Sequence, residues 1–235
     1  MKARIIGALY VLLFFGLGFF WKGEIFFRPI IIVWLVLAAA ELYVSDFLVG
    51  GKSGANPKFA SSVAFAQCFI LLAIITCALT EDYRVLGLAV AACFVSDTCG
   101  FIIGKLFGKG NKVSALREIS PNKSIAGFIG AIAIAAPLVY VIALLLSLNE
   151  SYGTARIVVF AGMAGFCAAT GDLIGSASKR ALGVKDSGED LAKFPIFRFL
   201  EKPLIGGHGG YYDRMDSICA VLVLAWTIFH DIAPP

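Results

Sequence analysis

Seven apolar runs, at roughly 5–21, 28–45, 63–79, 84–103, 125–148, 157–178 and 217–233, constrain the fold of this chain more than any motif in it. A bilayer core of ~30 Å takes about 20 apolar residues of helix to cross. The runs are continuous and do not alternate with period two, so helices are preferred over a barrel. With 59% hydrophobic and only 15% charged residues, 235 residues do not suit an ordinary soluble domain. The expected fold is all-α, a polytopic integral membrane protein of about seven transmembrane helices. Residues 1–235 form a single membrane domain, in which the helices within 1–80 offer nothing beyond apolarity and the chemistry lies within 90–220.

Orientation follows from the basic residues. With the N-terminus inside, 16 of the 20 Lys and Arg share the inner side, and only Lys22, Arg28, Arg84 and Arg156 fall outside. The N-terminus is therefore expected in the cytoplasm and the C-terminus outside. The net charge of +4 then describes one surface, suited to anionic lipid headgroups. Lys2 and Arg4 resemble the start of a signal peptide, but no small-x-small cleavage site follows Trp21, so the first run is read as a transmembrane helix. Glu81-Asp82 and Asn149-Glu150-Ser151 read as solvated caps in short outer loops. The six cysteines form no CxxC pair, and all six are expected to be small buried side chains rather than zinc ligands or disulfides.

Against this apolar background, Asp172 to Asp216 is densely polar. Asp172 sits at membrane depth, where an ionisable group costs about 2.5–3.5 kcal/mol to insert and usually has a function. Asp172, Ser176 and Lys179, spaced by four and three, share one helical face. Arg180 reads equally well as a membrane-end anchor. Asp213 and Asp216, at i and i+3, put two carboxylates on one face, which either hold a cation such as magnesium or cap and charge a helix start. In Gly206-Gly207-His208-Gly209-Gly210, four glycines flank one of only two histidines, and such amides can cradle phosphate. Ser120-Pro121-Asn122-Lys123-Ser124 suits a helix start, with Ser120 or Ser124 as cap, and equally a phosphate site with Lys123. Asp97, with Ser96 and Thr98, adds a polar cluster on the same side.

Together, Gly-Asp-Leu-Ile-Gly-Ser-Ala-Ser-Lys-Arg (171–180), Lys-Asp-Ser-Gly (185–188) and His-Gly-Gly-Tyr-Tyr-Asp-Arg-Met-Asp-Ser (208–217) resemble the signature of the phosphatidate cytidylyltransferase family. Ser-Asp-Thr-Cys-Gly (96–100) and Ile-Ser-Pro-Asn-Lys-Ser (119–124) resemble two further segments of that family, in the same order. The resemblance covers about the C-terminal 60% of the chain and is specific in combination. It implies a membrane enzyme, usually a homodimer, that makes CDP-diacylglycerol and pyrophosphate from CTP and phosphatidic acid. By position, Asp172, Asp213 and Asp216 correspond to the ligands of Mg2+, with Ser176 and Lys179 in the same catalytic site. A second cation bridging the site is compatible with the analogy. Two departures stand out. Nineteen residues separate Gly188 from His208, where the family has a handful, and Ile125-Ala126 stands where the family tends to have Trp-Glu. The extra segment, with Phe194, Phe197, Arg198, Phe199 and Lys202, reads as an interfacial helix, a lid or a headgroup contact.

Nucleotidyl transfer fits these residues. A phosphate monoester is already an anion at neutral pH and needs no general base, so catalysis reduces to positioning and charge neutralisation. Lys123, Lys185, His208, Gly209, Gly210 and Arg214 are the expected substrate contacts. The site is expected at the cytoplasmic face of a bacterial inner membrane, where soluble CTP meets the lipid; no nucleic-acid partner is expected. The alternatives are a cytidylyltransferase or CTP-dependent kinase acting on another lipid, and, in a different class, an anionic-solute transporter using Asp97 and Asp172.

Overall fold

In the computed structural model, the residues described are 16, 19–20, 23–49, 57–108, 118–121, 123–184 and 210–230. The second apolar run becomes α1 (Gly23–Val49). A 3-10 turn (Pro57–Phe59) leads into α2 (Ala60–Leu79), which is followed by α3 (Tyr83–Phe107). Next come α4 (Ile125–Leu145), containing a π-helical turn at Gly130–Ile134, and the short α5 (Leu148–Tyr152). The chain closes with α6 (Thr154–Ala181) and α7 (Tyr212–Phe229). Among the described residues there is no strand element, and α1 to α4 with α6 contain five spans long and apolar enough to cross a membrane. The protein is an all-α integral membrane protein. The first expected span lies outside the described residues save for residues 16, 19 and 20. There Phe19 packs its ring on Phe27 and Tyr83, each at 5.3 Å between centroids.

The helices outrun the apolar segments that announce them. A hydropathy count stops at the first polar residues, but a helix continues until its end groups find partners. Asp97 and Asp172 therefore lie well inside α3 and α6. Asp213 and Asp216, expected just ahead of the last span, lie within the first turns of α7.

Consecutive helices alternate in direction, which gathers the polar motifs at one end of the bundle. Small residues let the backbones approach, as they do where lipid supplies no hydrophobic drive between helices. A Cβ at Gly100 of α3 would meet Gly127 O and Ala131 Cβ of α4 at 3.2 Å, and one at Gly165 of α6 would overlap the Ala131 carbonyl. Buried Phe27, Ile31 and Leu35 of α1, Leu88 of α3, Phe160 of α6 and Leu222 of α7 belong to one apolar core. Phe65, Phe101, Val141 and Val158 point outward, as lipid-facing side chains would. Cys68 is also exposed and Cys167 only half-buried, which corrects the expectation that all six thiols are buried.

At the opposite end Glu81 and Glu150 are exposed, as expected of solvated caps, but Asp82 is the centre of an ionic knot. Asp82 is buried, caps α3 by accepting from Arg84 N at 2.8 Å, and pairs with the Arg84 guanidinium at 2.9 Å. Tyr152 donates to the same carboxylate at 3.4 Å, and burial together with Asp82 pushes its phenol up to about 12. Arg84 also donates to Leu146 O and Ser151 Oγ. Arg28 donates to Ala78 O and Glu81 O, and Arg156 to Ile228 O. Each of these three arginines covers carbonyls at the C-terminal end of a neighbouring helix (α2, α4 or α7), where a cation opposes the helix dipole.

Candidate active site

The expected face of α6 forms. Ser176 Oγ lies 3.5 Å from Asp172 Oδ1, at the outer limit of a hydrogen bond. One turn on, Lys179 pairs with Asp213 of α7. Lys123 precedes α4 and reaches Asp172 Oδ2 at 2.7 Å and Ala169 O at 3.4 Å. Its position follows from its neighbours: Lys123 N donates to Ser120 O, and Ser124 Oγ caps α4 by accepting from Gly127 N at 3.1 Å. The Ser-Pro-Asn-Lys-Ser segment is therefore a helix start, and it also delivers a cation to Asp172.

On α7 the two aspartates are held differently. Asp213 accepts from Gly210 N at 3.1 Å through Oδ2 while Oδ1 takes Lys179. Asp216 is buried, and its Oδ1 accepts from Ser217 N at 2.7 Å. Its carboxylate lies over Gly175 and its carbonyl over Gly171, so a Cβ at either glycine would overlap it. Ser178 Oγ and Tyr212 Oη lie 2.8 Å apart and join α6 to α7 beside this contact. A small crevice between α2, α6 and α7 is lined by Ala66, Phe69, Ile70, Ile174, Tyr212 and Asp216.

Asp97 lies within electrostatic reach of Asp172 and Lys123, and Asp216 within reach of Asp172, Asp213 and Lys179. Among the described residues this interacting cluster sets four carboxylates against two lysines. Carboxylate and hydroxyl oxygens are the donors that magnesium takes, and the residues fit it in kind. Among the described residues no three acidic, His or Cys side chains are gathered at metal-holding distance. Asp172 and Asp213 are instead each neutralised by a lysine.

Of the expected substrate contacts, Lys123 pairs with Asp172 and Gly210 N donates to Asp213. Arg214 lies in the first turn of α7. Lys185, His208, Gly209 and the inserted 189–205 segment lie outside the described residues. Glu41 was missed. The first three spans were expected to hold nothing beyond apolarity, yet Glu41 of α1 is fully buried and its Oε2 accepts from Tyr212 N at 2.7 Å. The signal was available, since a lone carboxyl inside an apolar run is as costly as Asp172.

The chain matches the model of the family described as "Cytidylyltransferase family" over residues 1–231. It is 33% identical to the phosphatidate cytidylyltransferase of Mycobacterium leprae over 145 residues, 62% of this chain and 40% of the relative. It is 35% identical to that of Staphylococcus epidermidis over 147 residues, 62% of this chain and 48% of the relative. With that of Mycobacterium bovis it shares 34% identity over 138 residues, 58% and 38% of the two chains. The aligned part spans less than half the length of these curated relatives. No solved structure matches the chain. The fold is a helical membrane bundle that pairs lysines with carboxylates at one end. The chain belongs to the cytidylyltransferase family.

Proposed function

We propose that this protein transfers the cytidylyl group of CTP to phosphatidate, giving CDP-diacylglycerol and pyrophosphate. The observation that carries the reading is the convergence of three distant segments at one end of the bundle. Lys123 pairs with Asp172, Lys179 pairs with Asp213, and Asp216 is buried beside them. In the reaction a phosphatidate oxygen attacks the α-phosphorus of CTP, a new P–O bond forms, and the bond to the β-phosphate breaks to release pyrophosphate. The nucleophile is already an anion, so no residue need act as base. Lys123 and Lys179 hold phosphate oxygens and offset the charge that builds on them. Asp172, Asp213 and Asp216 would hold Mg2+, which supplies charge neutralisation and orientation of the triphosphate. With the reading go a homodimer in the bilayer and a site facing the cytoplasm. Ion pairs gathered at the two ends of the bundle, rather than strung through its middle, disfavour solute transport.

Pyrophosphate release by purified protein in detergent, with CTP, phosphatidate and Mg2+ each omitted in turn, tests the proposal. Release that needs all three, with CDP-diacylglycerol formed, is expected. Folded protein that releases none would overturn it.

A further inference from the structure

We infer that Glu41 is a positioning residue for this transfer: from α1 it holds the first amide of α7 and packs on Gly210 before it, and so sets where Asp213 and Asp216 lie. The inference rests on the transferase reading. Its premise is an accounting of hydrogen bonds. The first amides of a helix have no partner within it and need acceptors from elsewhere. At the start of α7, Tyr211 occupies the capping position and its side chain makes no capping bond. The acceptor comes from 171 residues away, as Glu41 Oε2 takes the Tyr212 N–H at 2.7 Å. A carboxylate there also meets the positive end of the helix dipole.

The grip extends to Gly210. A Cβ at Gly210 would overlap the Glu41 carboxylate, so in this arrangement the carboxylate lies directly against the glycine. The same glycine donates its N–H to Asp213 Oδ2 at 3.1 Å. Gly210 is thus held between two carboxylates, one from α1 and one in the site. Trp34, also on α1, packs edge-on against Tyr211 with centroids 5.5 Å apart. Glu41 itself is fully buried and acts through α7 rather than on substrate.

Three proteins test this: wild type, Glu41→Ala and Glu41→Gln, each with steady-state kinetics and amide hydrogen exchange. Glu41→Ala should lower kcat on the order of 10- to 100-fold, as small misplacements of a reacting geometry do. The KM for CTP should stay unchanged, since the lost interaction is not a uniform binding contact. Glu41→Gln keeps an acceptor oxygen for Tyr212 N–H and should recover most of the rate. Exchange at residues 211–217 should quicken in Glu41→Ala while residues 150–157, at the opposite end, keep the wild-type rate. Wild-type kcat in Glu41→Ala, unchanged exchange at 211–217, or quickening spread evenly through the bundle would each overturn the inference. The exchange arm needs no turnover. Failure of the transfer reading would show as an inactive wild type, and the role of Glu41 would still be decided.

Discussion

Lys179 and Asp213 have side chains only 13% and 12% exposed, so removing either strands a buried charge. Asp213→Asn is expected to cost about 3–5 kcal/mol of stability as well as turnover. Adding Lys179→Met should return the melting temperature toward wild type without restoring pyrophosphate release, which separates the pair's two roles. Asp216→Asn keeps an acceptor for Ser217 N and should stay folded while losing activity. Normal turnover in that variant would remove Asp216 from the site. The shared face of Asp172, Ser176 and Lys179 was legible because helical periodicity is local. The partners were not: which lysine meets which carboxylate depends on how α4, α6 and α7 cross. Glu41 was legible as an anomaly, but its partner is a backbone amide, which leaves no trace in residue identity.

At the scale of elements, α6 and α7 meet through Gly171 and Gly175. Gly175→Ala should force the two helices apart beneath Asp216 and lower both melting temperature and kcat. Gly162→Ala is the control on the same helix, because a Cβ there meets nothing within 4 Å. It should leave kcat at the wild-type value and the melting temperature at or above it, since alanine is the better helix former, and equal losses in the two variants would remove the contact as their cause. Helix existence was legible from apolarity. Helix ends were not, since α6 and α7 carry on into polar residues that find partners only in the folded bundle. The π-helical turn in α4 was equally silent. It packs where Ala131 meets Gly165, a match between two helices rather than a property of either sequence.

The whole molecule has two unlike ends, one a site and the other a knot. With Glu118 at the site end and Glu150 at the other, both exposed, single cysteines at these positions report topology in a background lacking the native thiols. An impermeant thiol reagent added outside intact cells should label position 150 and spare 118; the reverse would overturn the expected orientation. The knot also sets an alkaline limit. Tyr152 is pushed up to about 12 from an ordinary value of 10.0, so above that ordinary value the unfolded chain ionises while the folded protein stays neutral. Stability should therefore fall as pH rises through this window. Tyr152→Phe should flatten that part of the slope in thermal melts at about pH 9 and 11. The bond between Glu41 and Tyr212 has a further consequence, in time. A ribosome adding ~5–20 residues per second needs roughly 10–30 s to travel from one to the other. For that interval α1 sits in the bilayer with a carboxyl whose amide partner has not been made. α7 thus supplies the partner that α1 lacks, and the contact between them cannot form until α7 has been made.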